Sequence, residues 1–99
     1  MSFVTAHPDI MAAVAAELHT IDAAVRAGNV AAAAPTIGVS PAAADVVSML
    51  TAAQFASHAR LYQEIAAQAA TLRDQLATAL GISAGSYAAT EAANTATVA

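Results

Sequence analysis

The 99-residue sequence contains no cysteine and no lysine, and aromatic residues amount to only 4% of it. Without cysteine, neither a disulfide nor a thiolate metal site can brace so small a fold. Three scattered arginines and a net charge of -4 argue against nucleic acid and against anionic lipid, because both require clustered basic side chains. The composition therefore disfavours disulfide scaffolds, nucleic-acid binders and lipid-surface binders.

Long hydrophobic runs are missing as well. The opening segment, residues 1–5, has neither the basic stretch nor the apolar run of a Sec-type signal peptide. The longest charge-free stretch, residues 27–44, is interrupted by Pro35, Gly38 and Pro41. A bilayer helix needs about 20 mostly apolar residues, so we expect no transmembrane segment and, if the chain is exported, a route without a cleavable signal peptide.

Alanine supplies most of the 59% of residues that are hydrophobic. Each alanine buries little area, so a chain of this length builds only a thin core by itself. A partner chain is the plainest source of the missing burial.

The first helix is predicted over residues 8–33. Proline suits the first helical position, and Asp9 suits the positive end of the helix dipole. Spacings of three and four then place one apolar stripe on the helix, formed by Met11, Val14, Leu18, Ile21 and Val25. Asp22 and Arg26 are predicted on the opposite, polar face as an i,i+4 pair.

A loop is predicted over residues 34–40, because two prolines and a glycine interrupt the pattern there. Ser40 as N-cap and Pro41 as first residue then predict a second helix over 41–80, which Gly81 ends as a C-terminal cap. Its apolar residues are Val47, Leu50, Leu61, Ile65, Leu72, Leu76 and Leu80, with Phe55 and Tyr62 on an adjacent stripe. Residues 85–99 read as a frayed or weakly helical tail.

These elements predict an all-α fold, an antiparallel two-helix hairpin over residues 1–84. Two helices bury one seam, so the rest of the apolar stripe is expected to contact a partner. The predicted interface comprises Met11, Val14, Leu18, Ile21, Val25, Val47, Leu50, Phe55, Leu61, Tyr62, Ile65, Leu72 and Leu76.

Several segments resemble the mycobacterial PE family, which is named for a Pro-Glu near the N-terminus. They are Met1-Ser2-Phe3-Val4-Thr5, Pro8, Ala31-Ala32-Ala33-Ala34-Pro35-Thr36, Pro41-Ala42-Ala43-Ala44-Asp45-Val46-Val47-Ser48, Gly85-Ser86-Tyr87 and Ala92-Ala93-Asn94. The resemblance covers essentially the whole chain and is greatest to short members that consist of the PE domain. The family motif is Pro8-Asp9 here, which keeps the negative charge at the helix N-terminus.

The resemblance implies a non-enzymatic protein that lies along a helical hairpin of a PPE-family partner and completes a four-helix bundle. It also implies export of the folded pair by a type VII (ESX) secretion system, with a chaperone bound through the PPE partner. The expected location is then outside the cell or in the cell envelope. A self-associating helical protein of the envelope is the alternative.

The segment Tyr87-Ala88-Ala89-Thr90-Glu91 matches the Tyr-x-x-x-Asp/Glu secretion signal of type VII substrates. In a helix, the i,i+4 spacing of Tyr87 and Glu91 places both side chains on one face, where a receptor can bind the ring and the carboxylate together. In a PE-like chain, this position favours the signal over a chance match.

Two catalytic or metal-site interpretations are weaker. Gly81-Ile82-Ser83-Ala84-Gly85 matches the G-x-S-x-G nucleophile elbow, but that motif requires a strand before the serine, and the sequence offers none. His19 and Asp22 have the spacing of half a metal site, with no second pair to complete it. We therefore expect no catalytic residue, no metal and no cofactor.

Overall fold

The structure is a computed structural model of the chain, and it describes residues 5–98. These residues form two helices, α1 over Pro8–Ile37 and α2 over Val46–Val98, and no strand. Asp22 of α1 binds Arg73, whereas Ala15, earlier in α1, lies beside Gly81, later in α2. The helices therefore run antiparallel, and the predicted all-α helical hairpin is confirmed.

Helix α1 begins at Pro8, as the sequence predicted. The amide of Met11 donates to the carbonyl of His7 over 3.0 Å, which closes the first turn. Asp9 is the acidic residue of that turn, at the positive end of the helix dipole. The opening family segment lies outside the described residues apart from Thr5.

The predicted end of α1 at residue 33 is wrong, because the helix continues to Ile37 with Pro35 inside its last turn. Proline removes one backbone donor, a small loss two residues from a helix end. The hydroxyl of Thr36 donates to the carbonyl of Ala32 over 2.6 Å, and the amide of Gly38 donates to the carbonyl of Ala34 over 2.9 Å. These bonds continue the turn past the proline.

The predicted start of α2 at Ser40 and Pro41 is also wrong. Helix α2 begins at Val46, and Asp45 caps it. One carboxylate oxygen of Asp45 accepts from the amide of Ser48 over 2.9 Å, and the other accepts from the Ser48 hydroxyl over 2.8 Å. Two cap sequences lie five residues apart, and the one that makes the bonds sets the boundary.

Gly81 does not end α2, which continues through the predicted tail to Val98. No glycine within residues 5–98 adopts a positive φ angle, so Gly81 lacks the left-handed conformation of a C-terminal cap. A Cβ atom at Gly81 would lie 3.9 Å from the Cβ of Ala15, which places this residue against α1. Gly81 therefore lies in the interior of α2, beside α1.

The chain divides into two compact units. One, here called the loop unit, is Ala23–Thr71; the other, the terminal unit, is described over residues 5–22 and 72–98. In both units alanine forms the buried core: among residues 5–98, the buried hydrophobic side chains are Ala15, Ala52, Ala59, Ala70, Ala77 and Ala84. Small side chains let two helices approach closely, but they bury little area.

Each unit has its own seam between the helices. The terminal seam consists of Met11, Ala15, Leu18 and Asp22 of α1 with Arg73, Ala77, Leu80 and Ala84 of α2, all buried or half-buried. The loop seam consists of Asn29 and Ala32 of α1 with Ala52, Ala56, Ala59, Gln63, Ala66 and Ala70 of α2. The spacings of three and four on α2 are those of a heptad repeat.

Polar contacts join the two helices in each unit. Asp22, predicted on the exposed polar face, is instead only 4% exposed, and its carboxylate accepts from Arg73 Nε over 2.9 Å. In the loop unit, the hydroxyl of Tyr62 donates to the side chain of Asn29 over 2.8 Å. Gln63 Nε2 donates to the backbone carbonyl of Asn29 over 3.0 Å.

Candidate functional site: an apolar side of the hairpin and an exposed C-terminal motif

The large apolar side chains of the predicted interface mostly lie outside the seams. Met11 and Leu18 are half-buried in the terminal seam. The other eleven are exposed: Val14, Ile21, Val25, Val47, Leu50, Phe55, Leu61, Tyr62, Ile65, Leu72 and Leu76. Alanine fills the interior while valine, leucine, isoleucine and phenylalanine face outward, the reverse of the usual distribution.

In the terminal unit, the large polar residues His19 and Asp74 each immediately follow a seam residue. His19 follows Leu18, Asp74 follows Arg73, and His19 Nδ1 lies 3.5 Å from Asp74 Oδ1. Successive helical residues are about 100° apart, so residues just before and just after the seam flank it on opposite sides. The His19–Asp74 contact therefore identifies a polar side of this unit.

The residues that immediately precede seam residues form the opposite side, here called the apolar side. In the terminal unit these include Val14, Ile21, Leu72 and Leu76, all exposed. Because the helices are antiparallel, the residues that precede seam residues in α1 and in α2 lie on the same side of the seam. Glu17, just before Leu18, is the charged residue on this side.

The loop unit repeats the pattern. Its apolar side carries Phe55, Tyr62 and Ile65, which precede Ala56, Gln63 and Ala66 and are all exposed. Its polar side carries Arg60 and Glu64, which follow Ala59 and Gln63. In the loop unit, apolar and charged residues thus lie on opposite sides of the seam, and in the terminal unit Glu17 is the exception to the same pattern.

The apolar side of the loop unit contains a groove of about 230 Å³. Its lining consists of Ala32, Thr36, Phe55, His58, Ala59, Tyr62 and Gln63. The hydrogen bond from Tyr62 to Asn29 holds the tyrosine ring as one wall. Small residues at the base between two aromatic walls leave room for a bulky apolar side chain of another molecule.

Not every predicted interface residue shares the apolar side. Leu61 and Val47 lie about half a helical turn from the seam, so they point away from α1, and Leu50 lies outside the apolar side too. Val25 continues the spacing of the α1 seam but is 38% exposed. The interface predicted from the sequence therefore includes residues that lie on several faces of the helices.

The proposed signal residues lie on the C-terminal part of α2. Ala84 is the last buried residue of α2, and every residue from 85 to 98 is exposed. Tyr87 is 49% exposed, and Glu91 follows one helical turn later, so the two side chains share a face. A shallow groove of about 350 Å³ adjoins the tyrosine, lined by Ile82, Ser83, Ser86, Tyr87 and Thr90.

The competing sites lack the geometry that they require. Ser83 lies within α2, with helix before and after it, so no strand-to-helix turn presents its hydroxyl. Within residues 5–98, no group of three or more potential ligands could hold a metal ion. Neither helix of this same part of the chain contains a stretch that is both long enough and apolar enough to cross a membrane.

The fold and its surfaces define a small helical hairpin with an alanine core and an uncovered apolar side. Residues 4–94 match the model of the PE family, and the chain belongs to that family. It is 57% identical to the PE family protein PE13 of Mycobacterium tuberculosis over 96 residues, which is 97% of each chain. PE family proteins are non-enzymatic, as the sequence predicted for this chain.

Longer relatives match over a smaller share of their length. The chain is 48% identical to the PE family protein PE8 of the same organism, covering 95% of this chain and 34% of that protein. It is 50% identical to the PE-PGRS family protein PE_PGRS33, covering 97% of this chain and 19% of that relative from strain H37Rv.

Proposed function

We propose that this chain pairs with a PPE-type helical protein, that the two hairpins form a four-helix bundle, and that the folded pair leaves the cell through a type VII secretion system. The carrying observation is the exposure of large apolar side chains over an interior of alanine. Contiguous exposed apolar surface marks interfaces, and helical partners cover it with their own apolar stripes.

The distribution of charged residues supports a partner that contacts one side of the hairpin through an apolar surface. Phe55, Tyr62 and Ile65 form an uncharged surface in the loop unit, while Arg60 and Glu64 remain available to water on the other side. Interfaces concentrate their binding energy in a few large side chains near the centre. Phe55, which is 60% exposed beside the groove, is the residue expected to contribute most.

Tyr87 and Glu91 are proposed to supply the export signal. Both are exposed on one face of α2 beyond the last buried residue, so they contribute little to the fold and remain accessible to a receptor. The proposed destination is the culture medium or the cell envelope, with the secretion chaperone bound through the PPE partner.

The test compares Phe55→Asp with Ser57→Asp in the tagged full-length chain, expressed in a mycobacterial host. The two substitutions introduce the same charge two residues apart, on opposite sides of the loop seam. Phe55→Asp is expected to reduce recovery of the PPE partner at least tenfold, because the interface would bury an unpaired carboxylate. Ser57→Asp is expected to bind normally.

Equal recovery of the partner by both variants would contradict the assignment of the apolar side. A wild-type chain that copurifies with further copies of itself and with no PPE protein would favour the self-associating alternative.

A further inference from the structure

The terminal seam contains an ion pair between a buried aspartate and an arginine whose side chain is 33% exposed. Asp22 is 4% exposed, the one buried charged residue within residues 5–98, and Arg73 Nε donates to it over 2.9 Å. The neighbouring seam residues of α2 are apolar, and one of them, Ala77, is 0% exposed. Across the described part of the chain, Arg73 Nη2 is a buried side-chain nitrogen without a hydrogen-bond partner.

Such a pair is poorly explained by stability alone. Desolvation of the aspartate, and in part of the arginine, offsets much of their attraction, and an incompletely bonded guanidinium increases that cost. Apolar side chains of similar size often replace buried ion pairs without loss of stability. A polar residue in a coiled-coil seam is instead well known to select one alignment of the helices.

The alanines do not select an alignment. Ala77 and Ala84 are both buried in the terminal unit and lie seven residues apart, as do Ala52 and Ala59 in the loop unit. A shift of α2 by one heptad, about 10 Å, in the direction that brings Ala70 and Ala77 to the places of Ala77 and Ala84 therefore keeps alanine at both buried positions. The eight residues 38–45 between the helices span about 26 Å when extended, so the connection also tolerates such a shift.

We propose that the Asp22–Arg73 pair sets the register of α1 against α2 in the terminal unit and thereby aligns the apolar side for its partner. A one-heptad shift would leave Asp22 buried opposite an apolar side chain, which the low dielectric of the seam strongly disfavours. The same shift would displace Val14 and Ile21 by about 10 Å along Leu72 and Leu76. The part of this inference that concerns partner binding rests on the proposed function.

The sequence offers a reporter of register, because the native chain has no cysteine. The Cβ of Ala15 lies 3.9 Å from the position of a Cβ at Gly81, which matches the separation in a disulfide. Ala15→Cys with Gly81→Cys reports the native register. Ala15→Cys with Ala88→Cys, or with Asp74→Cys, reports a shift of one heptad in either direction.

The experiment uses the tagged full-length chain in a mycobacterial host, with oxidation in intact cells and cross-linking measured on non-reducing gels. With Asp22 and Arg73 present, the native-register pair is expected to cross-link at least fivefold more than either shifted pair. Asp22→Leu with Arg73→Leu is expected to lower the native cross-link at least threefold and to raise a shifted one. Reversal of the charges, Asp22→Arg with Arg73→Asp, is expected to restore the native cross-link.

A matched control removes the hydrogen bond between Tyr62 and Asn29 in the loop unit. Asn29→Ala removes the acceptor of Tyr62, whose exposed hydroxyl can bond to water instead, so the native cross-link is expected to persist. Wild-type cross-linking in the double leucine variant would overturn the proposal. Loss of all three cross-links in that variant would also overturn it, because the pair would then be required for folding and not for register.

Partner recovery from the same cells separates this inference from the proposed function. The double leucine variant is expected to recover at least fivefold less PPE partner than wild type, and the charge-reversed variant to recover most of it. If the cross-links shift but the wild-type chain brings down no partner, the register proposal stands and the proposed function fails. If the partner is recovered equally by all variants, the aligning role of the pair is refuted.

Discussion

At the scale of single residues, side-chain size separates the core from the surface, and under the proposed function this also separates folding from recognition. Alanines form the core, whereas aromatic and branched aliphatic residues are exposed. Because an exposed side chain contributes little to the free energy of unfolding, its substitution can alter recognition with small effect on the hairpin.

Tyr87→Ala tests this separation in the C-terminal motif. We expect the variant to bind its partner normally and to change the free energy of unfolding by no more than about 0.5 kcal/mol. The same variant is expected to remain inside the cell, and Glu91→Ala to show a weaker defect of the same kind. Paired immunoblots of cell and exported fractions, run beside a partner pull-down, measure both effects.

Export of Tyr87→Ala at the wild-type level would contradict the signal assignment. Retention together with loss of partner binding would show that the motif belongs to the fold. Ala89→Ser, an exposed position on the opposite side of α2 from Tyr87 and Glu91, serves as the matched control.

At the scale of elements, the helix boundaries follow the bonds that particular residues make. Asp45 accepts two hydrogen bonds from Ser48, and these bonds lower the pKa of its carboxyl below the usual value. The ionised form is therefore favoured in the folded chain. Asp45 should stabilise α2 fully above the pKa of the unfolded chain, near 4, and lose that effect as the pH falls through the lower folded-state pKa.

The variant Asp45→Asn tests the predicted loss of stability at low pH. We expect the melting temperature of the wild-type chain with its partner to fall more between pH 5 and pH 3 than that of the variant, since asparagine caps the helix without titrating. Melting curves at several pH values measure the difference. Identical pH profiles for the two proteins would contradict the cap.

Gly81→Ala discriminates between a cap and a helix interior. In a left-handed cap, alanine would destabilise the fold, but within α2 it should stabilise it by about 0.5–1 kcal/mol through helix propensity. The added Cβ meets Ala15 at 3.9 Å, an ordinary contact. Gly38→Ala is the contrasting variant, because its Cβ would lie 3.0 Å from the carbonyl of Ala34. A loss of stability on Gly81→Ala would contradict the continuous helix.

The sequence predicted the two helices, their antiparallel order and the start of α1 at Pro8, because those signals are local and unopposed. It misplaced the other boundaries, since Ser40-Pro41 and Asp45 are equally good cap sequences, and a glycine can lie within a helix as well as end one. The seam was missed for a different reason. Alanine occurs on every face of both helices, so its spacing does not distinguish the buried face, whereas the large apolar residues form a clear pattern on the exposed faces.

At the scale of the whole molecule, an interior of alanine implies weak folding without a partner. Burial of a methyl group contributes far less than burial of a leucine or phenylalanine side chain. We expect the isolated chain to aggregate, to self-associate or to melt below about 45 °C, and coexpression with its partner to rescue it. A monodisperse, cooperatively folded monomer that melts well above about 65 °C would contradict this expectation.

The most direct test of the central claim is the mass of the complex that the tagged full-length chain forms in a mycobacterial host, measured by native mass spectrometry. The account predicts a mass equal to one copy of this chain and one copy of a PPE-family protein. A homo-oligomer of the chain, or the free chain as a stable monomer, would contradict it.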